Sequence, residues 1–160
     1  MTRILDKDFG ELHFDGVWTG VCEVPFFGSV YEVELVVQTF DDAPISEIQR
    51  LAFREFNLNK AAFSAAVEEA VFNYYRCNVD GYREGFDDDE VDIRSPNVHA
   101  VNDMRNLVSL KFIKVMSPFD AEARQIGFIF DAAFDPQLGL GVLVTNGLVE
   151  AVDTQDMLLG

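Results

Sequence analysis

Apolar and polar residues alternate in three stretches near the start of the chain. Residues 9–14 read Phe-Gly-Glu-Leu-His-Phe, and residues 17–24 read Val-Trp-Thr-Gly-Val-Cys-Glu-Val. Residues 30–37 put Val33, Leu35 and Val37 on one side and Glu32 and Glu34 on the other. A period of two marks a half-buried strand, because successive side chains leave opposite faces. Asp15-Gly16 separates the first two stretches, while Pro25 and Gly28 bracket Phe26-Phe27 in a connection. Three strands with short links predict an antiparallel meander.

The period then changes. Asp41-Asp42-Ala43-Pro44 breaks the strand pattern, and Ser46 with Gln49 three residues on is a capping box that opens a helix. That helix carries Ile48, Leu51, Ala52, Phe53 and Phe56 towards one side and ends near Asn57-Leu58-Asn59. A second helix runs from about Lys60 to Tyr75 or a little beyond. Phe63, Ala66, Val67, Ala70, Val71 and Tyr74 form its apolar stripe, with Glu68 and Glu69 on the outer face. The short link predicts an antiparallel helical pair lying on the sheet. Ser95-Pro96 reads as the N-cap and first position of a short helix towards Arg105.

Strands return at residues 108–115, where Lys111 and Lys114 interrupt the alternation. After a turn through Ser117-Pro118, residues 126–153 read as three strands parted by two turns, Asp135-Pro136 through Gly139 and Asn146-Gly147. Asn-Gly between apolar runs is a strong hairpin signal, since a type I′ turn needs positive φ at both central positions. So long and well punctuated an apolar run reads as the centre of a sheet. The layout predicts a single α+β domain over residues 1–160. Its sheet is mainly antiparallel, an N-terminal meander plus the C-terminal strands, with two to three helices inserted between the strand groups and packed on one face.

Composition narrows the function classes. A chain of 160 residues with 49% hydrophobic content can bury a core without staples, and most of its 15 Phe fall in patterned positions that read as core. The formal charge of −16 argues against nucleic acid and against anionic membranes, both of which call for clustered Lys and Arg. It leaves open a basic partner, a cation or simple solubility. Cys22 and Cys77 read as reduced core thiols, and the charged N-terminus carries no signal-like apolar run. The expected location is the cytoplasm.

Candidate chemistry is sparse. Residues 80–92 hold seven acidic residues against Arg83 and read as an exposed loop, its densest part being Asp87, Asp88, Asp89, Glu90 and Asp92. Counted from Asp87, the sixth position is Asp92 and the twelfth Val98, where an EF-hand needs Gly and Glu. A solvated face is the ordinary reading of such a run. His13 and His99 fall in different elements with no zinc spacing, and no nucleophile motif is present. Gly139-Leu140-Gly141 precedes a strand rather than a helix, so it is no dinucleotide loop. The carboxylates of Asp131, Asp135, Asp153 and Asp156 are the remaining acid–base candidates, although Asp135 sits in a turn and Asp153 begins a cap-like sequence. These readings assign no catalytic, cofactor-binding or metal residue.

The C-terminal unit resembles a family of uncharacterised bacterial domains. Their shared pattern there is an apolar strand, Trp-Asp-Pro-Glu-His-Gly-Leu-Gly-Val, a strand, Asn-Gly and a closing strand. The matching residues are Asp135, Pro136, Gly139, Leu140, Gly141, Val142, Asn146 and Gly147. Gly16-Val17-Trp18, Ile45-Ser46, Gln49 and Phe56 add weaker support. The resemblance implies an immunity role, the neutralising of toxins used between bacteria, as ascribed to some members. Phe134 stands where the family tends to have Trp, and Gln137-Leu138 replaces Glu-His; where that pair carries chemistry or metal binding in relatives, its replacement here favours a binding or structural role. The expected function is thus a non-enzymatic acidic binding protein without cofactor. It would meet a basic protein such as a toxin through Asp87, Asp88, Asp89, Glu90 and Asp92. A carboxylate- or cation-dependent enzyme and a structural or assembly module are the alternatives, and the oligomeric state is left open.

Overall fold

The N-terminal alternation does form a meander, and it begins one strand earlier than the pattern indicates. The computed structural model describes residues 2–40, 43–118, 120 and 122–159. β1 (Thr2–Asp6) pairs antiparallel with β2 (Gly10–Phe14), β2 with β3 (Trp18–Phe26), and β3 with β4 (Ser29–Val37). β1 shows no period because its residues 2–5 are all exposed. Pro25, expected in a connection, lies inside β3. It is tolerated there because β2 pairs with β3 only at Trp18 and Thr19, so the end of β3 lacks a second neighbour needing its N–H. The turn is instead Phe27-Gly28, with φ of 49° and 80°.

The capping box is present. The Ser46 hydroxyl accepts the Gln49 N–H at 3.3 Å, the Gln49 Oε1 accepts the Ser46 N–H at 3.0 Å, and α1 runs Glu47–Leu58. Gln49 is itself buried, donating Nε2 to the Gln38 carbonyl at 2.5 Å. The inward face is thereby Gln49, Ala52, Phe53 and Phe56, and Leu51, expected inside, is exposed. α2 (Lys60–Glu84) continues well past Tyr75. Its buried line is Phe63, Ser64, Val67, Val71, Phe72 and Tyr75, with Ala66 exposed. Glu68, expected outside, is half-buried because its carboxylate accepts the N–H of Phe27 at 3.0 Å. Of the two thiols expected in the core, only Cys22 is buried; Cys77 lies exposed on α2. Asp41 and Asp42, part of the expected break before α1, lie outside the described residues.

A short helix, α3 (Val91–Arg94), follows, and a 3-10 turn covers Val101–Asn106. The helix expected from Ser95-Pro96 does not form. Ser95 ends α3 instead, its hydroxyl donating to the Val91 carbonyl at 3.2 Å.

β5 (Val108–Val115), β6 (Gln125–Ala132), β7 (Leu140–Thr145) and β8 (Leu148–Asp153) complete one sheet in the order β1 to β8. Every neighbouring pair is antiparallel except β4–β5, so the class is α+β with a mostly antiparallel sheet. The register shifts between Leu110 and Phe112, and this bulge is why Lys111 and Lys114 spoil the alternation. The C-terminal hairpins form as read, with φ of 53° at Asn146 and 81° at Gly147. They are not the centre of the sheet: β8 is an edge, and β4–β5 lies in the middle.

The inner face of the sheet carries the core. Phe26 meets Phe128 and Phe130 edge-on with centroids 5.8 and 5.4 Å apart, and Phe56 meets Phe128 at 5.8 Å. α1 touches β5 and β6, while α2 touches β3, β7 and β8. The opposite face of β5–β7 is covered by a C-terminal 3-10 turn, Gln155–Leu158. Leu158 lies over Gly127 and Gly141, and the Lys114 ammonium, buried there, donates to the Leu158 carbonyl at 2.7 Å. Burial lowers the Lys114 pKa.

Charges tie the first hairpin to α1. Arg50 reaches Asp6 through both Nη atoms at 2.9 Å and Asp8 at 2.9 Å, while Arg54 Nε donates to Asp8 at 2.9 Å. The Arg50 hydrogen bond, against the opposing pull of burial and with help from the Asp8 and Phe9 N–H groups, holds the Asp6 carboxyl at about 2 rather than 3.8.

Two outcomes follow from these contacts. A folded-state pKa below the unfolded one means that ionised Asp6 stabilises the fold above about pH 4. That contribution, about 2 kcal/mol, fades as the pH falls towards 2. Asp6→Asn will therefore cost stability at pH 7 and flatten the acid limb of the urea-unfolding profile; an unchanged limb would locate acid sensitivity elsewhere. A Cβ on Gly139, at φ +55°, would lie 2.6 Å from the Phe130 carbonyl oxygen and 2.1 Å from Gln155 Nε2. Gly139→Ala should cost about 3 kcal/mol or more. Gly81→Ala, whose Cβ meets open space inside α2, should gain about 0.5–1 kcal/mol in the same assay.

Candidate functional site

The acidic stretch is shorter as a loop than its composition indicates. Helical hydrogen bonding carries α2 through Asp80 and Glu84, and Asp92 sits in α3, so the exposed turn is only residues 85–90. The structure places Asp87, Asp88, Asp89 and Glu90 together on that turn, all exposed, closed by Glu90 and Val91 N–H groups on the Asp87 carbonyl at 3.0 and 2.9 Å. Asp92 is also exposed and pairs with Arg83 at 2.9 Å. Arg83 donates as well to the Ser95 carbonyl at 2.8 Å, and the buried Tyr75 hydroxyl donates to the Pro96 carbonyl at 2.6 Å. These bonds strap residues 91–96 along the last turns of α2.

Position sharpens the electrostatics. Glu84, Asp87, Asp88, Asp89 and Glu90 cluster at the C-terminal end of a 25-residue helix, where the macrodipole already contributes negative potential. Among the described residues, Asp92 is the single member of the acidic patch in an ion pair. Ile93, on α3 beside the patch, is 74% exposed.

The end of α2 faces the β6–β7 turn. A depression of about 330 Å³ lies between them, lined by Tyr82, Phe86, Phe134, Asp135 and Gln137 among others. Phe134 is buried, with Tyr75 and Tyr82 each 4.7 Å from it, and the two Tyr rings stack at 6.2 Å and 11°. Burial first, then Tyr74 beside its hydroxyl and the charges of Asp135 and Asp153, raise the pKa of Tyr82; burial pushes Tyr75 up to about 12. The acidic turn and the C-terminal motif, distant in the chain, thus border one surface. Sequence reasoning missed this because acidity masked a continuing helical line, Tyr75, Val79, Tyr82 and Phe86 at steps of four, three and four, that could have revealed it.

The four C-terminal carboxylates do not form one cluster. Asp131 is exposed and lies 3.9 Å from Lys111 Nζ, Asp135 is half-buried in its turn, and Asp153 and Asp156 are exposed. Asp131 borders a separate depression with Ser109 and Leu107. No group of three or more His, Cys, Asp or Glu able to hold a metal occurs among the described residues. His13 lies 3.3 Å from Glu11 on β2, and His99 lies in the connection after α3, its N–H held by Asp103 at 2.9 Å. A further cleft of about 410 Å³ between the first hairpin and the entry to α1 is lined by Ile4, Phe14, Trp18, Pro44 and Ile45 over the Asp6–Arg50 pair, which compensates its own charge. Among the described residues, no helix is long and apolar enough to cross a membrane.

Residues 8–159 match the sequence profile of a domain of unknown function, DUF6985. No curated protein and no solved structure matches the chain.

If the strap on α2 depends on Arg83, Arg83→Met will abolish hydrogen-exchange protection at residues 91–96 while leaving the α2 core protected. A cost of about 1 kcal/mol in global stability should accompany it. Unchanged protection would assign the strap to Tyr75 alone.

Proposed function

The chain belongs to the DUF6985 family of domains of unknown function, and from that premise we propose that it is a non-enzymatic binding protein for a basic protein partner. The observation that carries this reading is the uncompensated negative charge at the C-terminal end of α2. Asp87, Asp88, Asp89 and Glu90 project there without ion pairs among the described residues, Asp92 flanks them, and Ile93 supplies an exposed apolar contact. Like charges held at the negative end of a helix raise the free energy of the unbound protein, and an arriving cation relieves that repulsion. Complementary charge of this kind chiefly speeds encounter and rejects wrong partners.

Toxin immunity is the form of the function that the C-terminal motif supports. Asp135, Pro136, Gly139, Leu140, Gly141, Val142, Asn146 and Gly147 carry that resemblance. An immunity protein must capture its target quickly, and electrostatic steering serves that requirement. The cytoplasm is the compartment we propose, in keeping with two unpaired thiols.

The test uses the full chain as bait against extract from the cells that produce it, then rate measurements with the purified partner. Changing Asp87, Asp88, Asp89 and Asp92 to Asn and Glu90 to Gln should slow association about ten-fold and leave dissociation nearly unchanged. Raising ionic strength from about 0.01 M to about 0.15 M, which shortens the Debye length from about 30 to about 8 Å, should do the same to the unaltered chain. Retention of no basic protein at low salt, or equal capture by the neutralised variant, would sink the proposal.

A further inference from the structure

The surface between α2 and the β6–β7 turn combines three features. It is concave, aromatic along one side, and negative with no cation inside it. Gly81 contributes the space: a Cβ built there meets nothing within 4 Å. Tyr82 and Phe86, both half-buried, supply the aromatic rim, and Tyr82 is backed by the rings of Tyr75 and Phe134.

Asp135 supplies the charge. One of its carboxylate oxygens, Oδ1, is fixed by the Leu138 N–H at 3.2 Å, and no ion pair engages Asp135 or Asp153 among the described residues. The nearest cation on α2, Arg83, is turned away to Ser95 and Asp92. The acidic turn at residues 87–90 adds a negative field over the entrance.

Each feature favours the same ligand chemistry. A flat cation gains from lying on an aromatic face, and a guanidinium does so with less desolvation than an ammonium. Its several in-plane donors suit a carboxylate oxygen and a side-chain amide presented together, as Asp135 and Gln137 are here. We propose that this depression is a guanidinium site, which takes an arginine side chain of the basic partner against Tyr82 and Phe86 and pairs it with Asp135. The proposal rests on the binding function argued above and names the residue type that the partner must present.

The experiment titrates the whole chain with N-acetyl-L-arginine amide, followed by backbone amide NMR shifts, with the neutral citrulline analogue as control. Saturable shifts at Gly81, Gly85 and Gln137 with the arginine probe, and none with citrulline, are the expected result. Asp135→Asn keeps an oxygen for the Leu138 N–H while removing the charge, and should weaken binding about ten-fold; Phe86→Leu, at the rim and outside the Tyr75–Tyr82–Phe134 cluster, should do likewise. Equal response to both probes overturns the site, as do shifts confined to residues 87–90 that never saturate. If a basic partner depends on residues 87–92 while the arginine probe leaves the depression unmoved, the site falls and the binding function stands. Saturable arginine binding with no basic partner retained leaves the site standing and removes the binding function.

Discussion

One parallel strand pair dictates the rest of the architecture. Two antiparallel four-strand units meet at β4 and β5, which run parallel from the pairing of Glu34 with Phe112 to that of Val37 with Val115. A hairpin cannot close a parallel pair; the chain must return to the end of the sheet where β4 began. Residues 38–107 are that return, and they hold α1, α2 and α3. Gln38 sits at its hinge. Its N–H donates to the Val115 carbonyl at 3.2 Å, its carbonyl accepts Gln49 Nε2, and its side-chain oxygen accepts the Ser117 N–H at 3.4 Å. The end of β4, the start of α1 and the end of β5 are therefore held at one residue. The route also accounts for α2 touching both β3 and β8, strands well separated in the sheet, since the sheet must curl towards the helix that crosses it.

Which parts of this were legible in the chain depends on where the deciding interaction lies. Ser46 and Gln49 satisfy each other within one turn, so the start of α1 could be read directly. Asn146-Gly147 needs only its own backbone angles. Glu68 is different: it looks like a solvent-facing residue until the positive φ of Phe27, 41 residues earlier, leaves an N–H pointing at it. Leu51 and Gln49 exchange places for a similar reason, because the Gln38 carbonyl is a stronger claim on the helix face than one more apolar contact. The parallel pairing itself leaves no mark on either strand. Local chemistry was readable, and partners far apart in the chain were not.

The same division applies to the acidic stretch. Its exposure could be inferred from charge alone, but its anchoring could not. Asp80 and Glu84 continue a helix because Tyr75, Val79 and Tyr82 keep packing beside the core and because Arg83 fastens the returning residues 91–96. Elsewhere the negative charge is spent on structure. Asp6 and Asp8 hold Arg50 and Arg54, and Glu55 holds Arg124 at 3.1 Å, so α1 is pinned to the first hairpin and to the start of β6. The cations of α1 are thus committed to that end of the helical layer. At the other end Asp92 has Arg83, while Asp87, Asp88, Asp89 and Glu90 have no ion pair among the described residues, an arrangement that costs folding free energy and that the packing and the Arg83 strap beneath it offset.

Within the C-terminal motif, architecture and chemistry fall to different residues. Gly139 and Gly141 admit Gln155 and Leu158 against the back of the sheet, where Gln155 Nε2 donates to the Phe130 carbonyl at 2.8 Å. These glycines present nothing to solvent. Phe134 and Asp135 lie on the other side of the same turn, towards α2, where a ring and a carboxylate meet Tyr82. Gln137, standing where the resembled pattern has Glu, lines that depression too, whereas Leu138 is directed outward at 43% exposure. The amide at 137 brings hydrogen-bonding capacity to the depression and the apolar side chain at 138 brings none, so the charge of this turn rests on Asp135.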